Sequence, residues 1–160
     1  MQRHFTQSFA CVGAILEKDG KVLLIKEAGG RDKGKWNQPA GWIDVGQNPF
    51  DMVIQEVREE TGLAFTPTHI LGVYSLVRKD HEGADGNLPH AIKLIYTGEF
   101  QETGQKPNPE EILELGWFLP EEIYSMNSEI LRDMDIKKEV KDYFEGKRYP
   151  LETVSHTIAN

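Results

Sequence analysis

The stretch from residue 48 to residue 63 constrains the fold of this 160-residue chain more than any other part. Asn48 is a favourable helix N-cap, Pro49 suits the first helical position, and Gly62 allows a left-handed stop. The apolar residues follow the i, i+3, i+4, i+7 spacing of one helix face: Phe50, Val53, Ile54 and Val57. The pattern predicts a helix over about residues 49–61 that docks on the core.

Three glutamates, Glu56, Glu59 and Glu60, lie on one side of this predicted helix, within about one turn. Like charges at these spacings repel by roughly 0.2 to 0.5 kcal/mol per pair, and acidic groups near a helix C-terminus oppose its dipole. A divalent cation would turn this repulsion into coordination. The plainer interpretation is a solvated acidic face that Arg58 and nearby lysines screen.

The segment before the helix, residues 37–47, is typical of a preorganised loop. Pro39 restricts the backbone, whereas Gly41 and Gly46 permit sharp turns or close approach. Main-chain carbonyls of such a loop can face a cation. Ligation by carboxylates, carbonyls and water favours Mg²⁺ or Mn²⁺ over zinc.

Seven residues between positions 41 and 63 form one spaced motif: Gly41, Glu56, Val57, Glu59, Glu60, Gly62 and Leu63. They match seven of the nine specified positions of G-x5-E-x7-R-E-U-x-E-E-x-G-U, with U apolar. This segment therefore resembles the Nudix box, the signature of the Nudix (MutT-like) hydrolases. A chance match of this length and spacing is improbable.

Two positions depart from the family pattern, because Gln47 stands where Glu is expected and Gln55 where Arg is expected. In the family these two side chains commonly contact one another and brace the loop against the helix. An amide pair can replace such an ion pair by mutual hydrogen bonding, so we expect the bracing to survive. Loss of activity is the competing interpretation. The usual first-loop Glu is also replaced, by Asp44.

The resemblance implies roles for four residues. Glu56, Glu59, Glu60 and the main chain near Ala40 or Gly41 are implied ligands of Mg²⁺ or Mn²⁺. Glu56 or Glu59 is implied as the base that activates water for hydrolysis of a phosphoanhydride bond. No covalent intermediate is expected.

Features outside the box extend the resemblance over most of the chain. Residues 146–152 are similar to the tail of NudJ-type phosphatases, which act on hydroxymethylpyrimidine pyrophosphate and nucleoside di- and triphosphates. A small diphosphate or nucleotide substrate is therefore expected first. The alternatives are an ADP-ribose or dinucleoside polyphosphate pyrophosphohydrolase, and a catalytically impaired binding or regulatory domain.

The order of predicted elements indicates an α+β fold. Strands are predicted at 8–16, 21–25, 70–77, 91–100 and 115–119, the first two paired through Lys18-Asp19-Gly20, and helices from Glu121 and over 128–146. Together with the resemblance, this predicts a Nudix fold, a mixed β-sheet sandwiched between helices in α/β/α layers. Residues 1–160 are expected to form one Nudix hydrolase domain.

Composition sets further limits. The formal net charge of -8 argues against binding a nucleic-acid polymer, and no apolar run is long enough to cross a membrane. Cys11 is the only cysteine, which excludes an intramolecular disulfide. No export signal is visible, so a cytoplasmic location is expected. The oligomeric state is left open.

Several residues around the predicted site have an interpretation of their own. The glycine-rich segment 29–35 has no apolar anchor and is predicted to be a mobile surface loop. Arg78 is interpreted as a solvated charge rather than a phosphate ligand. Trp36 and Trp42 are expected to pack, with base stacking as the alternative, and the five histidines are assigned no role.

Overall fold

The computed structural model describes residues 8–82 and 86–160. The described strands are β1 (Ser8–Ile15), β2 (Glu17–Lys18), β3 (Lys21–Glu27), β4 (Trp36–Asn37), β5 (Ala40–Trp42), β6 (Leu63–Val77), β7 (His90–Glu102) and β8 (Ile112–Phe118). The described helices are α1 (Pro49–Thr61), α2 (Pro120–Ser125) and α3 (Ile136–Phe144), with short 3-10 helices at Lys79–His81 and Leu151–Thr153.

Two sheets form the centre of the molecule. The first has the strand order β5-β1-β7-β6; β1 and β7 run parallel and the other neighbours antiparallel. In the second, β3 pairs with β2, β4 and β8. Parallel and antiparallel neighbours therefore occur in one sheet, and the predicted mixed sheet is confirmed.

Alternation along β1 separates two apolar cores. Val12 and Ala14 belong to the core that packs under α1, together with Val53 and Val57. Ile15 belongs to the core on the other face, which the apolar residues of α2 and α3 complete. Helices thus cover both faces of the sheet, and the predicted α/β/α layering is confirmed.

Helix α1 has the boundaries that the sequence predicts. The Asn48 side chain accepts a hydrogen bond from the Phe50 N–H at 3.1 Å, and Pro49 opens the helix. Gly62 ends it with φ of 76°, a conformation that a residue without Cβ adopts at no steric cost. The buried face of the helix consists of Met52, Val53, Val57 and Thr61. The glutamate-bearing side is left at the edge of the core.

The prediction of a helix from residue 128 is wrong for its first half. Residues 128–135 are turns and a bridge, and α3 begins only at Ile136. Leu131 is completely buried and forms a parallel bridge with Trp36. Pairing with that backbone replaces the intrahelical hydrogen bonds that the apolar pattern had indicated.

The prediction that β1 pairs with β3 is also wrong. The Asp19-Gly20 turn does form, with φ of 53° and 78°, but it joins β3 to the short β2. Strand β1 lies in the other sheet, between β5 and β7. Residues 40–42, which the sequence assigns to a loop, form the edge strand β5.

The glycine-rich segment 29–35 has an ionic anchor. Asp32 is 7% exposed, and both of its carboxylate oxygens accept hydrogen bonds from Arg78 at 2.9 and 3.0 Å. The interpretation of Arg78 as a solvated charge is therefore wrong, because neither residue signals its partner 46 positions away. The segment has no apolar anchor, as the sequence indicated, but this ion pair holds it. Within the part of the chain that the structure describes, no helix is long and apolar enough to span a bilayer.

Candidate active site

A cleft of about 620 Å³ runs along one side of α1. Its lining includes Glu56 and Glu60 of α1, Gly41 of β5, Lys93 of β7, and Arg132. The structure thus brings three of the four predicted site residues into one cavity.

Gly41 makes room for the carboxylate of Glu56. A Cβ at this position would lie 2.1 Å from Glu56 Cδ and 2.4 Å from each carboxylate oxygen. These distances are far below van der Waals contact, so the absence of a side chain at residue 41 is what lets the carboxylate lie against β5. The first glycine of the motif and its first helical glutamate form one contact.

Glu60 is bound to the neighbouring residue of the same strand. The Ala40 N–H donates to Glu60 Oε2 at 2.8 Å. Ala40 and Gly41 are held in place because β5 pairs with β1, with Gly13 opposite Ala40. An edge strand therefore positions both carboxylates, and they lie four residues apart on the same side of α1.

Both carboxyl groups hold protons more tightly than usual. Burial, and then the charge of Glu59, raises the pKa of Glu56 to about 7. Burial also raises the pKa of Glu60 well above its ordinary value, although the Ala40 N–H opposes the shift. Two partly desolvated carboxyl groups resist losing both of their protons, and a bound cation would favour the ionised form by neutralising the negative charge.

Glu59 lies outside the cleft, although its charge acts on Glu56. It lines a neighbouring groove with Arg58, Gln105 and Lys106 rather than the cleft, and its side chain is exposed. Gln55 Nε2 donates to Glu59 Oε1 at 2.8 Å. The structure therefore brings Glu56, Glu60 and Gly41 together and leaves Glu59 at the rim.

The expected amide pair between Gln47 and Gln55 is not present among the hydrogen bonds of the described residues. Gln47 Oε1 instead accepts from the Asp44 N–H at 3.2 Å and closes its own turn, while Gln55 binds Glu59. The prediction was wrong because each amide finds a closer partner within four residues of chain. The bracing of this loop is therefore local.

Two cations in the cleft wall are already neutralised. Arg78, 9% exposed, donates to both oxygens of Asp32. Lys93, 2% exposed, lies 2.9 Å from an oxygen of Asp135 and 2.8 Å from one of Glu139. Although burial alone would lower it, these carboxylates hold the pKa of Lys93 above its usual range. Both cations are structural parts of the wall.

The ion pair of Lys93 extends to the strand that carries the site. Glu139 Oε2 accepts from Gln38 Nε2 at 2.5 Å, and Gln38 lies two residues before Ala40. Burial raises the pKa of Glu139 to about 7, with the charge of Lys93 opposing the shift. Helix α3 thereby fixes the connection between β4 and β5.

The donor set fits a hard divalent cation. Two carboxylates and main-chain carbonyls are oxygen donors, the type that Mg²⁺ and Mn²⁺ prefer, and Mg²⁺ usually keeps several waters. Within residues 8–82 and 86–160, no three acidic, histidine or cysteine side chains form a ready-made metal-binding group. A cation held by Glu56 and Glu60 would therefore complete its shell with carbonyls, water or substrate.

The cleft is also lined by residues that the sequence did not point to, among them Glu27 and Arg132. Arg132 Nη1 donates to Glu27 Oε1 at 2.8 Å, joining the end of β3 to the turn segment before α3. Their separation of 105 positions left no local pattern to detect. Because residues 128–135 were expected to be helical, the sequence did not point to Arg132 as a residue of the cleft.

The two tryptophans differ in their surroundings. Trp36 is 9% exposed and packs edge-on against Phe118, so it belongs to the core. Trp42 is 53% exposed at the cleft and forms an edge-on pair with Phe9, with ring centres 5.1 Å apart. The expectation of packing is confirmed for Trp36.

Comparison with known families finds one match over most of the chain. The family model described as NUDIX domain matches residues 5–142. The solved structure of a NUDIX hydrolase from Nitrosomonas europaea superposes with a TM-score of 0.81 and 27% identity, covering 94% of this chain and 98% of that one.

Curated relatives include two enzymes. The ADP-ribose pyrophosphatase of Methanocaldococcus jannaschii is 34% identical over 94 residues, which span 59% of this chain and 52% of that protein, about half its length. The phosphatase NudJ of Escherichia coli is 26% identical over 144 residues, spanning 89% of this chain and 88% of the relative. The second alignment is the more extensive.

Proposed function

The chain belongs to the NUDIX domain family, and from this premise we propose that it hydrolyses a phosphoanhydride bond of a small nucleotide-like diphosphate with the help of a divalent cation. On this proposal the chain is an enzyme, a Nudix hydrolase. The observation that supports this reaction best is the pair of carboxylates, Glu56 and Glu60, set against Gly41 and the Ala40 N–H in one cleft.

Glu56, Glu60 and the main chain at Gly41 are the residues that would hold Mg²⁺ or Mn²⁺. Bound there, the cation would neutralise charge on the phosphate oxygens. Glu59 would be a further ligand or a partner through water, because it lies within one turn of Glu56 and Glu60 on α1 but lines the neighbouring groove. The Ala40 N–H binds one carboxylate oxygen of Glu60 and fixes the group, so the other oxygen would be free to bind the cation.

The chain's own part in the reaction is to place water and accept its proton. Water adds to a phosphorus atom, the bridging P–O bond breaks, and the proton of the water passes to a carboxylate. Glu56 and Glu59 are the two proposed bases, and we favour Glu56 because it faces the cleft. Glu59 is exposed and hydrogen-bonded to Gln55, so its role would require the substrate to reach the rim.

For substrates, nucleoside di- and triphosphates and hydroxymethylpyrimidine pyrophosphate stand first, because the similarity to the phosphatase NudJ extends over most of both chains. ADP-ribose stands second, on the similarity to the pyrophosphatase of M. jannaschii. The polar and aromatic lining of the cleft is compatible with either class.

The deciding experiment measures phosphate and pyrophosphate release from these substrates with Mg²⁺, with Mn²⁺ and with chelator. We expect cation-dependent release that falls by two or more orders of magnitude in Glu60→Gln, which removes a charged donor yet keeps the shape of the side chain. Glu59→Gln should retain more activity than Glu56→Gln if Glu56 is the base. The reverse order would assign the base to Glu59.

A non-catalytic binding domain is the second candidate, favoured by Gln47 and Gln55 in place of the family's charged pair. Titration calorimetry on the same panel separates the two functions. Ligand binding without product at saturating cation would establish the second candidate and reject hydrolysis.

A further inference from the structure

Arg132 differs from the other lysine and arginine side chains in the wall of the cleft. Its side chain is 30% exposed, whereas those of Arg78 and Lys93 are 9% and 2% exposed. Only Nη1 makes a hydrogen bond among the described residues, to Glu27. Arg132 Nε lies 3.2 Å from Asp32 Oδ2 without hydrogen-bond geometry and is a buried donor with no acceptor there.

The backbone of Arg132 is fixed although its segment is not helical. The Trp36 N–H donates to the Ile130 carbonyl at 2.8 Å, and the Arg132 N–H donates to the Trp36 carbonyl at 2.8 Å. Trp36 itself belongs to β4 and packs in the core. The guanidinium therefore extends from a rigid support, which reduces the entropy lost when it binds a ligand.

Arg132 lines the same cavity as the carboxylates of the proposed cation site. Glu56 and Glu60 both belong to that lining.

Acidic residues outnumber cations in the cleft wall. The acidic residues that line it are Glu27, Asp44, Glu56, Glu60, Glu110, Glu111 and Asp133. The lysine and arginine residues that line it are Arg78, Lys93 and Arg132. All three cations form ion pairs, Arg132 with Glu27, Asp32 and Asp133. Among the described lysines and arginines of the cleft lining, however, Arg132 is the most exposed, so its unbonded N–H groups are the ones that a diphosphate can best reach.

We propose that Arg132 is a substrate-binding residue whose Nη2 group and remaining Nη1 N–H bind a phosphate group of the substrate. The inference rests on the proposed function and assigns the residue that recognises the phosphates of its substrate. A planar guanidinium binds two phosphate oxygens at once, which a lysine cannot do. Glu27 keeps Nη1 in place and Nε is buried, so Nη2 and the second Nη1 N–H are left to the ligand.

The test uses methylenediphosphonate, a non-hydrolysable P–C–P analogue, in chelator so that no divalent cation contributes. Calorimetry compares the wild type with Arg132→Gln, Arg132→Lys and the control Arg31→Gln. Arg31 is exposed in the 29–35 segment, and its replacement changes the net charge equally. We expect Kd to rise roughly tenfold or more in Arg132→Gln, the value for losing charge-assisted hydrogen bonds, with Arg132→Lys between it and the wild type. Arg31→Gln should bind like the wild type.

A second measurement needs no variant and remains informative if Arg132→Gln does not fold. Phenylglyoxal modification of the wild type, mapped by mass spectrometry, should slow at Arg132 when the diphosphonate is present and stay unchanged at Arg31. Unprotected Arg132, or an unchanged Kd in folded Arg132→Gln, would overturn the inference.

Kinetics separates this inference from the proposed function. With cation and a hydrolysed substrate, Arg132→Gln should raise KM more than it lowers kcat, because it removes a contact made before the reaction. If the wild type binds the diphosphonate through Arg132 but hydrolyses no substrate, the binding residue stands and the proposed hydrolysis fails. If the wild type hydrolyses a substrate but Arg132→Gln leaves KM unchanged, the proposed hydrolysis stands and the inference about Arg132 fails.

Discussion

At the scale of single residues, the site depends on contacts between a strand and a helix rather than on the glutamates alone. Gly41 leaves room for the Glu56 carboxylate because it lacks a Cβ, and the Ala40 N–H donates a hydrogen bond to the Glu60 carboxylate. The pattern Glu-x-x-Glu-Glu does not tell which of its glutamates share a cavity, whereas the structure places two of the three in the cleft. Glu59, held by Gln55, has a different environment.

Gly41→Ala should abolish activity while leaving the fold nearly intact. The new Cβ would overlap the Glu56 carboxylate, which lies at the end of a flexible side chain and can rotate away. We expect turnover to fall at least a hundredfold and the melting temperature to change little. Gly29→Ala is the control for adding a methyl group to the cleft lining, because Gly29 also lines the cleft but a Cβ there has no neighbour within 4 Å. Full activity in Gly41→Ala would show that the position of the Glu56 carboxylate is unimportant.

At the scale of elements, a short edge strand and several turns position side chains of the cleft. Edge strand β5 orients both carboxylates, and the turns of residues 128–135 carry Arg132 to the cleft. The Asp32–Arg78 pair ties segment 29–35 to the end of β6. These links run between parts of the chain that are distant in sequence, so the walls of the cleft depend on the assembled fold.

Asp32→Asn should destabilise the protein in a pH-dependent way. Although burial opposes it, hydrogen bonding to Arg78 lowers the pKa of Asp32 from 3.8 to about 2. Because the folded pKa is depressed, the ionised group stabilises the fold above about pH 4, and this contribution is lost as pH falls towards 2. Urea unfolding should show a loss of about 2 kcal/mol at neutral pH, typical of charge-assisted hydrogen bonds. A variant equal to the wild type at pH 7 would contradict this; exposed Asp19→Asn is the control.

At the scale of the whole molecule, two cores on opposite faces of one sheet meet through strands they share. We propose that residues 1–160 form one domain, because β1 contributes Val12 to one core and Ile15 to the other. Urea transitions followed by tryptophan fluorescence and by circular dichroism should then coincide. Separate transitions would divide the chain into independent units.

Cation binding should stabilise the whole protein most at alkaline pH. The raised pKa values of Glu56 and Glu60 mean that the cation-free fold takes up protons relative to the unfolded chain, so its stability falls as pH rises from about 4.5 to about 7. Mg²⁺ competes with those protons and adds roughly 2.7 kcal/mol at 100 times its Kd. Melting temperatures with Mg²⁺ or chelator should differ more at pH 8 than at pH 5. An equal difference in Glu60→Gln would place the cation elsewhere.

The sequence by itself determined α1, its caps, its glutamates and the family to which the chain belongs. These features are local: the periodicity of three to four residues, the N-cap Asn48 and the left-handed Gly62 act within a few positions of one another. The layered fold also followed, because helix and strand periods differ along the chain and both faces of a sheet must be covered.

Only the tertiary structure decided which side chains share the cleft. The pairs Arg78–Asp32, Arg132–Glu27 and Lys93–Glu139 join residues 46 or more positions apart, and no periodic pattern encodes such partners. The segment 128–135 has a helical apolar pattern, yet its backbone bonds to Trp36, because burial of Leu131 beside that strand replaces the helical hydrogen bonds. Local sequence specifies the elements, whereas packing of distant segments selects the partners of buried charges.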